Sequence, residues 1–369
     1  MDKNWHDNAY GKILESLDNK ASLALSLYSR EPWDCFMVLF GETDTVSHHF
    51  WKFHDTASPR FEAGKEYLSK AISEVYEKID GILKKFLDNI PEDTAVLLVS
   101  DHGFGGISNS AVSINKWLQQ ESLLAFKDRS SLVDRGMGIL KQAGLKLLPH
   151  GIQEKIFRSP LKGLAQRIEA SSRFAEIHWH TTTAFSEELN YFPSIYLNVA
   201  GREPQGTVSH GKMYENVREK IIEKILEWKD PETGTSIVRS AWKREDLYSG
   251  PYVDSAPDII LDLNTINGYS YLCLPYTYFP SDEPFKKLEK DEQCGPRLLS
   301  MSGSHRENGI FLFSSDDLKE TGRFSENINI QDICPSILSF FNIQLDAEMD
   351  GRVFGPFKNM ITRTARPIP

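Results

Sequence analysis

The stretch "VLLVSDHGFGG", from Val96 to Gly106, constrains the fold more than any other part of this sequence. An apolar run ends abruptly at Asp101 and His102, and three glycines follow. A short apolar run bounded by turn-forming residues is typical of a buried strand. Carboxylate and imidazole groups are costly to bury alone, but a divalent cation binds both. The stretch therefore predicts a strand that ends at a ligand site, after which the chain turns on its glycines.

A helical pattern and a second apolar run accompany this strand. Over residues 61–88 apolar side chains recur at three- and four-residue steps, which predicts a helix between the apolar runs Cys35–Phe40 and Ala95–Val99. Runs that are continuously apolar, rather than alternating, are typical of parallel strands buried on both faces. This part of the chain therefore predicts a βαβ unit of an α/β fold.

The later part of the chain alternates strands and helices again. Strands are predicted over 194–201, 258–264 and 308–315, and helices over Tyr214–Trp228 and from about Pro335. The whole pattern is typical of an α/β sandwich that contains an insertion.

Residues 127–173 differ from the rest in charge and pattern. They contain ten Lys and Arg against four Asp and Glu, and Gly and Pro interrupt their helical spacing. We expect an inserted, mostly helical cap whose basic side chains either attract an anionic substrate or form an ordinary solvated surface. The predicted domains are a partial α/β core over 1–110 that carries the metal motifs, the cap over 111–210, and the rest of the core over 211–369.

Composition excludes several classes of partner. A net charge of −10 argues against binding to a nucleic-acid polymer, which would need a basic surface. No apolar run is close to the length of about 20 residues that a membrane span needs. The first residues lack the pattern of a signal peptide. The four cysteines are widely spaced and form no C-x-x-C motif, so we expect unpaired thiols, as in proteins of a reducing compartment. We therefore expect a cytoplasmic protein without membrane or nucleic-acid partners.

Three places put metal-binding side chains at the ends of apolar runs. Asp44 and His48 are four residues apart, so on a helix both face the same side. Asp101 and His102 end the strand described above, and His305 in "SMSGSHRENGIF" directly precedes another predicted strand. Imidazole with carboxylate suits Zn²⁺, Mn²⁺ or Fe²⁺, whereas an all-oxygen site suits Mg²⁺. Taken alone, each motif also fits a structural hydrogen-bonded pair.

The order of these motifs resembles the alkaline phosphatase superfamily. A D-x-x-x-H, then S-D-H-G, then Gly-Ser-His is similar to its type I phosphodiesterase/nucleotide pyrophosphatase branch, which includes phosphohydrolase/phosphomutase-like proteins. The resemblance extends from about residue 33 to residue 354, and further stretches that carry it are "NVAGREPQGTV", "SGSHRENGIF", "IQDICPSILSFFNI" and "MDGRVF". It implies an alkaline-phosphatase-like three-layer α/β/α sandwich with a mostly parallel sheet.

The resemblance also implies a two-metal centre. Asp44, His48 and His305 would bind one divalent ion, and Asp101 and His102 would supply two ligands of the second. We expect Zn²⁺ or Mn²⁺, with Fe²⁺ or Mg²⁺ as alternatives. Enzymes of this superfamily attack a phosphoryl or sulfuryl centre with a Thr or Ser alkoxide, and the expected substrate is a small anionic phosphoester.

Two arginines are candidates for contacts with the substrate anion. Arg202 lies in "GREPQG", and Arg306 directly follows His305. A structural salt bridge is an equally good interpretation of each.

The family pattern has an N-terminal part that this sequence does not show. Only 43 residues precede Asp44, and none fits the expected strand-ending Asp or the nucleophilic Thr or Ser at a helix start. We therefore expect no catalytic nucleophile in this chain, an incomplete second metal site, and a sheet without its N-terminal strand or strands. A companion N-terminal fragment or self-association would cover the exposed sheet edge.

These observations predict a metal-dependent phosphoric-ester hydrolase that is incomplete as given. Phosphoryl transfer, as in cofactor-independent phosphoglycerate mutase, is an alternative within enzymes. Sulfatase-like activity is disfavoured because no C-x-P-x-R motif is present. Outside enzymes, the alternative is a catalytically inactive remnant that binds a metal or a partner.

Overall fold

The computed structural model of the chain describes residues 5–127, 174–293, 297–316, 318, 322–323, 327–355 and 357. Two compact units are present: the first combines Met1–Ile107 with Cys294–Pro369, and the second is Ser108–Gln293. The basic segment 127–173 of the predicted helical cap lies, from residue 128 on, outside the described residues. The predicted division at residues 110 and 210 stays a prediction.

Helices and strands alternate irregularly along the chain. The helices are α1 Trp5–Tyr28, α2 Glu42–His54, α3 Glu66–Ser69, α4 Ala71–Leu87, α5 Ile114–Gln120, α6 Lys212–Leu226, α7 Arg244–Leu247, α8 Arg297–Ser300 and α9 Ile333–Phe340. The strands are β1 Val96–Val99, β2 Gly103–Val112, β3 Ala184–Phe185, β4 Ser194–Leu197, β5 Val238–Lys243, β6 Ile259–Leu263, β7 Thr265–Ile266, β8 Tyr269–Cys273, β9 Phe285–Lys287, β10 Gly303–Arg306 and β11 Phe311–Ser314. Short 3₁₀ turns are Trp179–Thr181, Val253–Ser255, Tyr276–Tyr278 and Ile330–Asp332.

The described core of the first unit is built mainly from helices. Leu17 of α1, Phe50 of α2 and Val75 of α4 are fully buried in one cluster. Apolar residues at three- and four-residue steps give each of these helices one apolar face, so the three faces pack together. The predicted helix of residues 61–88 is confirmed as α3 and α4. Helix α2 likewise confirms that Asp44 and His48 lie on one helical turn.

The glycines after His102 lie in a strand, so the predicted turn is wrong. β10 pairs antiparallel with the start of β2, with Gly303 opposite Gly106 and Arg306 opposite Gly103. A Cβ on Gly103 would collide with the carbonyl oxygen of Asn308, and a Cβ on Gly105 would lie 2.5 Å from the Arg306 guanidinium. At Gly103 the close approach of neighbouring backbone, rather than a turn, therefore requires glycine, whereas at Gly105 the contact is with a side chain.

The apolar run Cys35–Phe40 is not a strand, and that prediction is wrong. Within the described residues it forms no ladder with another segment. Phe36 packs against Tyr28 and Phe86, but Met37 is 80% exposed and Leu39 is 82% exposed. A strand needs a partner edge as well as β-forming residues, and the apolar pattern alone does not supply one.

The second unit has its own core around a four-stranded sheet. The strand order is β3-β4-β6-β5, and helix α6 contacts β5. Ile195, Leu197, Ile221 and Ile259 are fully buried there. The end of β2 pairs with β9, and β7 pairs with β8. Strands predicted over 194–201 and 258–264 and the helix predicted near 214–228 are thus confirmed, with shifted ends.

The α/β character is confirmed, but the mostly parallel sheet is wrong for the described residues. Strand pairs with a defined register are all antiparallel, including β1 with β11 and β4 with β6. Continuous apolar runs reflect burial, and burial does not fix strand direction. The three-layer sandwich and the missing N-terminal strand stay predictions.

No helix in the described part of the chain is both long enough and apolar enough to span a membrane. The predicted cytoplasmic location stays a prediction.

Candidate metal centre

Helix α2 supplies the first two side chains of the site. Asp44 and His48 lie one turn apart, with 3.3 Å between Asp44 Oδ1 and His48 Nε2. His48 is buried, whereas the Asp44 carboxylate is partly exposed. The helix therefore presents one carboxylate oxygen and one imidazole nitrogen at the same point.

Strand β10 brings a third side chain to that point. His305 Nε2 lies 3.3 Å from Asp44 Oδ1 and 3.1 Å from His48 Nε2. These three atoms form a nearly equilateral triangle. Zinc bonds to nitrogen and oxygen are about 2.0–2.1 Å long, which makes the edge of a tetrahedral ligand set about 3.3–3.4 Å. The triangle thus has the size of one face of a tetrahedral site, and its donor set suits Zn²⁺ or Mn²⁺.

His102 extends this cluster on a second side. Its Nε2 is 3.8 Å from Asp44 Oδ1, and its ring stacks on that of His305 with 3.6 Å between centroids. Ligand atoms of Asp44, His102 and His305 all lie within 4.8 Å of one another. Asp101 Oδ1 is 3.6 Å from His102 Nε2, but the Asp101 side chain is 77% exposed. Four of the five predicted ligands therefore converge, and Asp101 lies at the exposed margin.

Backbone carbonyls fix the tautomers of two of these histidines. His48 Nδ1 lies 2.8 Å from the carbonyl oxygen of Gly303, and His102 Nδ1 lies 3.0 Å from that of Gly103. A carbonyl oxygen only accepts hydrogen bonds, so each Nδ1 carries the proton. In the neutral ring Nε2 then has the lone pair, and Nε2 is the atom directed at Asp44 in both cases.

The environment of His305 favours its neutral form. Burial lowers the pKa of His305, and the neighbouring His102 and His48 lower it further, against an opposing effect of Asp44. A neutral imidazole is the form that binds a metal ion. At neutral pH the ring is therefore ready to act as a ligand without losing a proton first.

Comparison with known families identifies the chain. Residues 2–269 match the type I phosphodiesterase / nucleotide pyrophosphatase family. The chain belongs to this family. It is a branch of the alkaline phosphatase superfamily, its members are typically dependent on divalent metals, and its name describes hydrolases of phosphoric esters and anhydrides. No curated protein and no solved structure matches the chain.

The family match includes four of the predicted ligands and ends before the fifth. Asp44, His48, Asp101 and His102 lie inside residues 2–269, and His305 lies outside. In this phosphodiesterase-family chain, the pairing of β10 with the start of β2 is what places His305 beside the ligands inside the matched range.

Sequence reasoning missed Phe104, which lies beside the candidate ligands. Its ring packs edge-on against His48 at 4.7 Å and His305 at 5.6 Å, and lies 6.0 Å from His102. An aromatic ring in contact with three imidazoles limits their rotation and excludes water from one side of them. The only signal in the sequence is its position two residues after His102.

The two arginines both bind within the protein. Arg306 donates to the carbonyl oxygens of His305 at 3.0 Å and Gly106 at 2.7 Å. Arg202 donates to both carboxylate oxygens of Asp258, at 2.8 and 2.6 Å. The salt-bridge interpretation of Arg202 is thus realised in the structure, and substrate binding by either arginine stays a prediction.

Hydroxyl groups next to the cluster in sequence or space already have partners. Thr43 Oγ1 donates to the carbonyl oxygen of Phe40 at 3.4 Å, and Ser100 Oγ accepts from the backbone N–H of Ile310 at 2.8 Å. Neither geometry singles out a nucleophile.

Proposed function

We propose that this chain carries the metal-binding part of a metal-dependent phosphoric-ester hydrolase of the phosphodiesterase/nucleotide pyrophosphatase type. The observation that supports this most strongly is the triangle of Asp44 Oδ1, His48 Nε2 and His305 Nε2, with edges of 3.1–3.3 Å. Such a triangle has the spacing of one face of a tetrahedral Zn²⁺ site, and its donor types suit Zn²⁺ or Mn²⁺.

Each residue then has a defined task. Asp44, His48 and His305 would hold one ion, and His102 with Asp101 would contribute to a second, incomplete site. When bound, such ions neutralise charge on phosphoryl oxygens and lower the pKa of an attacking hydroxyl group. Gly303 and Gly103 hold the rings of His48 and His102 through their carbonyl oxygens. A small anionic phosphoester is the proposed substrate.

The attacking group is proposed to come from outside these residues. Either sequence upstream of Met1 or a companion chain would supply a Thr or Ser hydroxyl and the remaining ligand of the second ion. An upstream reading frame that encodes an apolar strand ending in Asp, then a Thr or Ser at a helix start, would support this. Stop codons in the upstream DNA would favour either a split gene with a companion chain or a remnant that binds metal without catalysis.

Metal binding is the first test. Titration calorimetry with Zn²⁺ or Mn²⁺ should show one tight site whose affinity falls sharply, but measurably, in Asp44→Ala and in His48→Ala. Asp88→Ala is the control, since Asp88 is an exposed carboxylate that pairs with Lys84. Equal affinity in Asp44→Ala and the wild type would overturn the proposed site.

Turnover of bis-p-nitrophenyl phosphate is the second test. The chain together with its upstream segment should hydrolyse this diester only with added metal, and Asp44→Ala should abolish the reaction. Metal-dependent turnover by the present chain alone would support the hydrolase and show that the chain has its own nucleophile. Tight metal binding with no turnover by the extended chain would favour the remnant.

A further inference from the structure

The segment before His305 is bonded into helix α2 at the turn that carries His48. The backbone N–H of Ser302 donates to the carbonyl oxygen of His48 at 2.8 Å. Ser302 Oγ accepts from the backbone N–H of Lys52 at 3.1 Å, and lies 3.4 Å from the carbonyl oxygen of His48. One residue therefore bonds to both ends of this helical turn.

These two backbone groups have a special relation within the helix. In an α-helix the N–H of Lys52 and the carbonyl of His48 are the donor and acceptor of one i→i−4 hydrogen bond. A side chain that enters this ladder sets the local geometry of the helix. Ser302 is only 1% exposed, so its bonds are shielded from competing water.

The next residue binds the side chain of the same histidine. The carbonyl oxygen of Gly303 accepts from His48 Nδ1 at 2.8 Å. A Cβ on Gly303 would collide with the carbonyl oxygen of Ser47 and lie 2.8 Å from the Phe104 ring, so this strand start lies directly against α2. Ser302 and Gly303 thus hold the backbone and the ring of His48 together.

A buried arginine holds the start of this segment in place. Arg60 donates from one guanidinium nitrogen to the carbonyl oxygens of Leu299 at 3.0 Å and Met301 at 2.8 Å. The residues that lead to Ser302 are therefore fixed from both ends, by Arg60 before it and by the β10 pairing after it.

We propose that Ser302 is a positioning residue for the metal centre, because it holds α2 and β10 at the separation that places His48 and His305 on one ion. This inference rests on the proposed function, in which these two histidines share a metal. They come from elements that are 257 residues apart in sequence, so their 3.1 Å separation depends on bonds between those elements. Ser302 supplies those bonds at the turn nearest the ligand.

The test compares Zn²⁺ affinity in serine variants. Ser302→Ala removes the hydroxyl and should weaken Zn²⁺ binding about 10- to 100-fold, the usual effect of losing a group that orients a metal ligand. Ser304→Ala is the matched control, because Ser304 is also buried on β10 and should keep wild-type affinity. Ser302→Cys fills nearly the same volume with a weak hydrogen-bonding group and should show the same loss without a cavity.

A double-mutant cycle separates positioning from a general structural role. If Ser302 acts through His48, then adding Ser302→Ala to His48→Ala should cause no further loss of Zn²⁺ affinity. Additive losses would overturn the inference, and so would wild-type affinity in Ser302→Ala. The visible absorption spectrum of the Co²⁺-loaded protein should also change in Ser302→Ala, since it reports ligand geometry.

The two proposals fail in different ways. If wild-type chain binds no Zn²⁺, or binds it independently of Asp44, the proposed function is wrong. If the wild type binds Zn²⁺ through Asp44 while Ser302→Ala binds it equally well, only the positioning role is wrong.

Discussion

Glu188 is a buried carboxylic acid outside the candidate metal centre. It is 2% exposed, and its oxygens accept from Ser113 Oγ at 2.5 Å and from the backbone N–H groups of Asn115 at 3.0 Å and Tyr276 at 2.7 Å. Burial raises the pKa of Glu188 to about 7, although these hydrogen bonds oppose the shift. The residue joins three separate segments of the second unit, so its protonation state matters for stability.

We expect stability to fall as the pH rises through the range in which Glu188 ionises. The pKa is raised on folding from 4.5 to about 7, so the folded state holds the proton more tightly and the stabilisation is lost between these pH values. The loss is on the order of 3 kcal/mol by pH 8. Urea unfolding followed by circular dichroism at several pH values should show this slope, and Glu188→Gln should flatten it. An unchanged slope in the variant would contradict the assignment.

Asp258 is a second buried acid, and its hydrogen-bond partners determine whether it is ionised. Its carboxylate accepts from Arg202, from Tyr214 Oη at 2.6 Å and from the backbone N–H of Leu197 at 2.7 Å. Burial favours the neutral acid, but these hydrogen bonds outweigh burial and lower the pKa of Asp258. The carboxylate is therefore ionised and fully partnered at neutral pH.

Removal of Asp258 should destabilise the protein strongly. Asp258→Ala leaves Arg202 with Glu203 as its remaining carboxylate partner and removes the buried acceptor of Tyr214 Oη and of the Leu197 N–H, which costs about 3–5 kcal/mol. Asp262→Ala is the control, because Asp262 pairs with the exposed Arg239 and should change stability by less than about 1 kcal/mol. Chemical denaturation of both variants measures the difference. If both variants lose a similar, small amount of free energy of unfolding, the buried carboxylate of Asp258 contributes no more to stability than an exposed ion pair.

At the scale of elements, Gly303 connects helix α2 to strand β10. Because a Cβ there would collide with the carbonyl oxygen of Ser47, Gly303→Ala should separate the two elements and weaken Zn²⁺ binding more than tenfold. Gly81→Ala is the matched control: Gly81 lies within α4 and a Cβ there meets nothing within 4 Å. That control should stabilise the helix by up to about 1 kcal/mol and leave metal affinity unchanged. Calorimetry and thermal denaturation test both variants.

Local patterns predicted the elements better than their pairing. The D-x-x-x-H spacing was enough to place Asp44 and His48 on one turn of α2, because helical periodicity is a local property. The apolar run Cys35–Phe40 has strand-forming residues, yet it makes no ladder among the described residues. Pairing and strand direction depend on distant segments, and a run of apolar residues contains no information about them.

Convergence of the metal ligands was predicted through the family resemblance and not through local chemistry. No spacing rule connects His305 with His48, and the structure brings their Nε2 atoms to 3.1 Å. The sequence does not single out Phe104 or Ser302. A phenylalanine that follows a glycine, or a serine that precedes a glycine, has many ordinary structural roles. Their importance depends on which imidazole or helical turn each one contacts.

At the scale of the whole molecule, the segment Cys35–Phe40 exposes apolar surface. Met37 and Leu39 point outward, whereas Phe36 packs inward. An extended apolar segment of this kind favours association between copies. We expect the double variant Met37→Lys, Leu39→Lys to increase the monomer fraction measured by size-exclusion chromatography with light scattering. Tyr76→Lys, which changes another exposed large side chain, should have little effect, and equal effects would contradict a specific role of this segment.

The most direct test of the central claim is a crystal structure of the Zn²⁺-loaded chain with anomalous diffraction at the zinc edge. We predict an anomalous peak about 2.0–2.2 Å from Asp44 Oδ1, His48 Nε2 and His305 Nε2. A zinc peak bound elsewhere, or a peak at this place that touches only one of the three side chains, would contradict the claim that they share one ion.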